Sequence, residues 1–215
     1  MKQLLLILLV LSVVIIFSSC SNKSSAVIVS DGKSYNFVSD KNGEIASDSA
    51  GNIIVERQDE NGNTVTEVLT EKYLIIDNNS LKTPSYDYEI PEDFELKSVG
   101  SDPLIENKQG TIQFNIMDKT ESVSDFDEYV LDTYNAAVSS GIAMGDVFDV
   151  VISGIPMKRF ELSMQDDDGA QLESYAYIVK VDNRVLMITV TSKDGGITDV
   201  SQADAFVAEI NFNSR

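Results

Sequence analysis

Leu172-Glu-Ser-Tyr-Ala-Tyr-Ile-Val-Lys-Val181, the pair Asp182-Asn183, then Arg184 and Val185-Leu-Met-Ile-Thr-Val-Thr191 carry the clearest strand pattern in the C-terminal half of the chain. Two runs rich in β-branched and aromatic residues flank a turn dipeptide, the signature of an antiparallel hairpin. Upstream, Val147 to Ser153 and Met157 to Met164 read as two more strands, and Asp166-Asp167-Asp168-Gly169 as the hairpin turn after them. Further back, Tyr86 to Ile90 and Phe94 to Val99 alternate as strands do. After Gly110, Ile112, Phe114 and Ile116 share one face while Gln113 and Asn115 take the other, the pattern of an antiparallel strand buried on one side.

Two helices break this series. Ser124 is placed as the N-cap of the first, with Asp127 three residues on in a capping-box-like pair. Phe126, Tyr129, Val130, Tyr134, Ala137 and Val138 recur at helical spacing as one apolar stripe, and Gly141 ends the helix. Glu128, Asp132 and Asn135 form the opposite, solvated face. The second helix begins at Ser201, capped in part by Asp204, and turns Ala203, Phe206, Val207 and Ile210 inward, with Phe212 beyond it in a closing strand. Strands, helix, four strands and helix predict an α+β domain over residues 83–215, an antiparallel β-sheet flanked by helices.

Residues 35–82 precede it as a small β-hairpin-rich segment. Asn42-Gly43, Gly51-Asn52 and Asn61-Gly62-Asn63 supply turns around Ile53-Ile54-Val55 and the alternating run Thr64 to Leu69. The acidic pieces at 40–44 and 59–63 invite a calcium test. A helix–loop–helix site places its glycine sixth, whereas here glycine falls fourth with no helices on either side, so hairpin turns explain them.

Tyr88-Glu89-Ile90-Pro91-Glu92-Asp93-Phe94 resembles the opening Tyr-x-Ile-Pro-x-x-Phe of DcrB-like and PsbP-like domains. Ile152-Ser153-Gly154-Ile155-Pro156-Met157-Lys158 resembles the turn that enters a strand in the same family, and the long 172–191 hairpin and the stretch from Phe206 to Phe212 also fit. The resemblance covers residues 83–215. It implies a central antiparallel sheet flanked by helices and a non-enzymatic role in assembly or stability of partner proteins, many bacterial members being lipoproteins. It maps no functional residue onto this chain.

The chain begins with a different signal. After Lys2, Leu4 to Phe17 is an apolar run of 14 positions interrupted only by Ser12, ending in Phe17-Ser18-Ser19-Cys20. A spanning helix needs about 20 apolar residues and a signal-peptide core roughly 7 to 15. A bulky apolar residue, two small ones and a cysteine resemble the lipobox of bacterial lipoproteins, with Phe17 in place of the usual Leu, Val or Ile. That resemblance implies a signal peptide over residues 1–19, a diacylglycerol on the Cys20 thiol, and a polar tether over residues 20–34. Two acyl chains make attachment stable where one is marginal.

Composition narrows the chemistry. The 215 residues carry a formal charge of −19, with 43% hydrophobic and 24% charged residues. Loss of Lys2 with the leader would leave 15 positive and 35 negative side chains, a formal −20. Such a surface repels phosphate backbones and anionic lipid, which argues against nucleic acid and makes a covalent anchor the expected membrane attachment. Histidine and tryptophan are absent, and Cys20 is the single cysteine. Ser-His-Asp and Cys-His systems and His-ligated zinc are therefore excluded, and no phosphate-loop or dinucleotide motif occurs. No catalytic, cofactor-binding or metal residue is assigned. Asp166-Asp167-Asp168 reads as a solvated turn rather than a metal site, and Lys158 and Arg159, adjacent in a strand, face opposite sides.

The expected function is thus a membrane-anchored extracytoplasmic module that binds or assembles envelope proteins, without catalysis and without cofactor. A carboxylate-based envelope glycan hydrolase is the alternative, since paired acids at suitable separation suffice for that chemistry. Calcium-dependent adhesion through the acidic turns ranks third. Mass spectrometry of the mature protein is expected to show an N-terminal Cys20 carrying diacylglycerol; an unmodified thiol or an intact Met1 overturns the assignment.

Overall fold

The computed structural model describes residues 26–70, 72–98, 102–119, 123–165, 169–193, 195–197 and 199–213. They form β1 (Val27–Ser30), β2 (Lys33–Phe37), β3 (Ile53–Gln58), β4 (Thr64–Leu69), β5 (Leu74–Asp77), β6 (Ser80–Lys82), β7 (Tyr86–Glu89) and β8 (Phe94–Ser98). The chain continues through β9 (Leu104–Asn107), β10 (Ile112–Asp118), α1 (Phe126–Ser139), β11 (Ala143–Ile152) and β12 (Ile155–Gln165). It closes with β13 (Gln171–Val181), β14 (Arg184–Lys193), α2 (Val200–Ala208) and β15 (Asn211–Phe212).

The predicted hairpin is the centre of one sheet. β13 and β14 pair from Leu172↔Lys193 to Val181↔Arg184, and Asp182 takes a left-handed φ of 52° in the turn, a conformation Asp tolerates better than most residues. Ser153 and Gly154 both have positive φ (51° and 82°) between the paired Ile152 and Ile155, the backbone of a primed two-residue turn joining β11 to β12. The resulting seven-stranded sheet runs β11-β12-β13-β14-β10-β9-β8, with every pairing antiparallel.

A second, eight-stranded sheet runs β15-β7-β6-β5-β1-β2-β3-β4. Its outer hairpins turn on related acidic loops, and each loop organises itself. In 40–44, 48–52 and 59–63, the Asp40, Asp48 and Asp59 carboxylates accept bonds from backbone N–H groups two and four residues on, at 2.8–2.9 Å. The Asn52 and Asn63 side chains add a bond each, and these bonds hold the Asp48 and Asp59 carboxyls below the usual carboxylate range. The backbone N–H groups occupy one oxygen of each carboxylate, and the Asn42, Asn52 and Asn63 side chains reach the other.

The expected α+β architecture, an antiparallel sheet flanked by helices, is overturned. Strand accounts for 53% and helix for 13% of the structure, with two helices and two sheets. The layer covering much of the seven-stranded sheet is the other sheet. Leu74, Leu81, Tyr86 and Tyr88 from β5–β7 share one core cluster with Ile105, Phe114, Tyr177, Ile188 and Val190, and α2 adds Ala203 and Val207 to it. The opposite face carries a smaller cluster, in which Val130 of α1 packs on Phe160, Ala176, Ile178 and Val185. Residue 83 falls between β6 and β7, which pair with each other, and the chain's last strand returns to pair Asn211 with Asp87. Local periodicity reported that β7 exists but not which layer it joins, because pairing partners are set by burial across the whole chain.

Two cap assignments also change. Asp125, not Ser124, is the N-cap of α1 and accepts the Glu128 N–H. Asp199 caps α2 through the Ser201 N–H, and that bond holds its carboxyl below the ordinary range, which leaves Asp204 inside the helix with another task. A carboxylate at a helix N-terminus satisfies an orphan donor and meets the positive end of the dipole.

Phe114 is the joint between layers. It is fully buried, stacks on Tyr88 of β7 at 5.1 Å between ring centroids, and lies 6.2 Å from Phe206 of α2. Phe114→Ala is expected to cost about 3–5 kcal/mol, and Phe114→Leu substantially less, in chemical denaturation. A loss under about 1 kcal/mol for the alanine variant would show that the two sheets do not depend on this contact.

Candidate functional site

Three places concentrate polar or exposed apolar chemistry. The first is a seam between the sheets. Asp118, the last residue of β10, accepts bonds from Ser85 Oγ at 2.6 Å and Arg184 Nη1 at 3.1 Å, and Arg184 also donates to Ser85 Oγ at 3.1 Å. Beside this trio lies a cavity of about 30 Å³ lined by Val29, Ser30, Lys72, Thr83, Tyr86 and Asp118. Tyr86 is 1% exposed, and its buried hydroxyl has no hydrogen-bond partner among the described residues. Burial, and then the Asp118 charge, raise its pKa well above the ordinary tyrosine value, so it stays a neutral phenol. The space has room for a water or two.

The second place lies under α2. Asp204 receives a forked contact from Arg159 Nη1, 3.0 Å to Oδ1 and 3.1 Å to Oδ2, and the Tyr177 hydroxyl donates to Oδ1 at 2.7 Å. Burial and the bond to Asp204 hold the Tyr177 phenol far above its ordinary pKa. The Arg159 guanidinium also sits 5.7 Å from the centroid of the Phe148 ring, within cation–π range. Lys158, one residue back, faces the other way and spans Asp127 of α1 and Asp149 of β11 at 2.9 Å each. The alternation expected of a strand therefore separates the two cations. Asp118 and Asp204 belong to separate clusters, each ion-paired to an arginine and accepting from a hydroxyl.

The third place is open. β11 is an edge of the seven-stranded sheet, and among the described residues no strand pairs with its outer side. Val151 is 70% exposed, Leu131 58%, Val138 48%, and Val147 and Phe148 42% each. Val147 pairs with Phe160, which packs beneath α1, so Val147, Asp149 and Val151 stand on the face of the sheet that carries α1. Leu131 and Val138, seven residues apart, share a side of that helix. The bridging Lys158 ties helix to strand through Asp127 and Asp149, and Val147 and Val151 stand on either side of Asp149.

Cys20 and Asp166-Asp167-Asp168 lie outside the described residues, so the structure places neither. Among the described residues no group of three or more acidic side chains is arranged to hold a metal ion, and no helix is long and apolar enough to cross a membrane. Sequence reasoning passed over Asp118, Arg184 and Tyr86, and read Asp204 as a cap. Arg184 opens β14 beside a turn, where a cation is unremarked, and its partners lie 66 and 99 residues away along the chain.

No family model matches the chain, and no curated protein does. Among solved structures, a protein from Bacteroides thetaiotaomicron VPI-5482 aligns with a TM-score of 0.47 and 17% identity, over 60% of this chain and 46% of its own. A protein of unknown function from Pseudomonas aeruginosa aligns with a TM-score of 0.39 and 18% identity, over 57% of this chain and 88% of its own. The chain thus spans about half the length of the first structure it matches. At these scores the likenesses carry no argument about function.

Asp118→Ala leaves the Arg184 guanidinium in a largely enclosed seam without its carboxylate. A loss of about 2–3 kcal/mol is expected, below the figure for a fully buried pair because both side chains keep some exposure (15% and 19%). Tyr86→Phe removes only a hydroxyl without a partner and is expected to leave stability within about 1 kcal/mol of the parent or raise it. Equal losses for the two variants in urea denaturation would contradict this account of the seam.

Proposed function

We propose that the protein is a non-catalytic binding or assembly module for envelope proteins, held at the extracytoplasmic face of a membrane by diacylglycerol on Cys20. The observation that carries the binding role is the open β11 edge, with Val147 and Val151 exposed on the face that carries α1 and Phe148 exposed on the opposite face. An exposed apolar patch next to an unpaired strand edge is a liability unless something covers it. The leader and Cys20 support the address. The absence of histidine and the engagement of Asp118 and Asp204 in ion pairs support a role without bond-making chemistry.

A photo-crosslinking residue at position 151, in intact membranes, is expected to capture a defined envelope protein. The same residue at position 68, an exposed valine on β4 of the other sheet, is expected to capture far less. Capture of nothing from position 151 across growth conditions, or the same products from both positions, counts against the reading.

A further inference from the structure

The open edge also carries a pattern that specifies its partner. α1 and β11 together hold Asp127, Glu128, Asp132, Asp146 and Asp149 and no lysine or arginine, within a chain of formal charge −19. Asp127 and Asp149 keep side-chain exposures of 78% and 86% although both touch Lys158. On the α1 side of β11 the outward series reads Val147, Asp149, Val151, an acid between two apolar side chains. Phe148 and Val150 alternate on the other side.

Register is broken between Met144 and Val147, and from Val147 to Ile152 the pairing with β12 is continuous. A bulge of this kind twists the first part of an edge away from pairing, while the regular part keeps outward-facing N–H and C=O groups in one line. A strand laid along that line would place its side chains opposite Val147, Asp149 and Val151 at every second position. Cross-strand pairs favour apolar against apolar and opposite charges against each other, and like charges directly opposed are destabilising.

We propose that β11 binds an extended segment of a partner protein by strand addition, and that the segment carries the alternating pattern apolar–x–basic–x–apolar, with its lysine or arginine opposite Asp149. This rests on the binding role proposed above and adds the mode and the chemistry. A second copy of this chain is disfavoured as occupant, because it would bring another surface of α1 and β11 acids without bases. Anionic lipid is disfavoured for the same reason. Backbone bonds along the edge supply affinity, the valines and Leu131 supply apolar contact, and Asp149 selects the charge.

The test uses the full chain in zwitterionic detergent and the probe acetyl-Lys-Thr-Val-Thr-Lys-Thr-Val-Thr-Lys-amide, against the same peptide with its central lysine replaced by glutamate. The lysine probe is expected to bind at least about tenfold more tightly, to weaken as salt rises, and to slow amide exchange selectively over 147–152. Asp149→Lys, at a position 86% exposed and so tolerant of change, is expected to invert the preference between the two probes. Binding that ignores Asp149→Lys, protection confined to another edge, or no binding of the lysine probe overturns the proposal.

Crosslinking from position 151 in membranes separates this failure from failure of the broader role. If Asp149→Lys leaves the captured neighbour unchanged, the module still binds but not by this pairing. If the parent chain captures nothing, the binding role itself falls.

Discussion

The contact between the two sheets, centred on Phe114, is the constraint on which the remaining structure depends. β10 lies between β14 and β9 in the seven-stranded sheet, and its inward face offers Ile112, Phe114 and Ile116. Covering those side chains requires a second layer, which β5–β7 and α2 supply with Leu81, Tyr88, Phe206 and Val207. Strands of three or four residues such as β6 and β7 bury too little to be stable alone; packed on a completed sheet they become its cover. The eight-stranded sheet therefore owes its inner half to the seven-stranded one, while Ile28, Tyr35 and Val55 form a smaller core of their own.

Polar clusters sit at the borders of this apolar contact. The Asp118–Arg184–Ser85 trio bridges the two sheets at one place, and Asp204–Arg159–Tyr177 ties α2 to β12 and β13 at another. Charges set among packed layers cost desolvation, so their net contribution to stability is small even when their disruption is expensive. Their geometry is directional where apolar packing is not, and this favours a role in setting how the layers register.

What the interior satisfies, the β11 edge leaves open. Edge strands are commonly blunted by bulges and charges, and β11 has both, with its bulge after Met144 and its acids at 146 and 149. Yet the exposed Val147 and Val151 on one face of β11 and Phe148 on the other run against that protection. A purely defensive edge would carry polar side chains at those positions. Acids set between apolar side chains would suit the binding edge proposed above, favouring one charge pattern over copies of the same surface.

The long hairpin, the strands around Phe114, both helices and the turns at Asn42-Gly43 and Asn61-Gly62 were legible in the sequence, because period-two alternation, helical stripes and turn dipeptides are local. The exclusion of histidine-based chemistry was equally plain from composition. Cap positions slipped by a residue or two, since Ser124 and Asp125 are both competent caps and only backbone geometry chooses between them. β9 and the short strands β1, β2, β5 and β6 were missed: each is three to five residues long and is held by neighbours rather than by its own pattern. Only the tertiary structure decided that residues 27–89 and 211–212 make one sheet, that this sheet covers the other, and that Asp118 meets Arg184 across 66 residues. The reason is physical: alternation reports that a strand has a buried side, but which surface buries it depends on contacts between residues far apart in the chain.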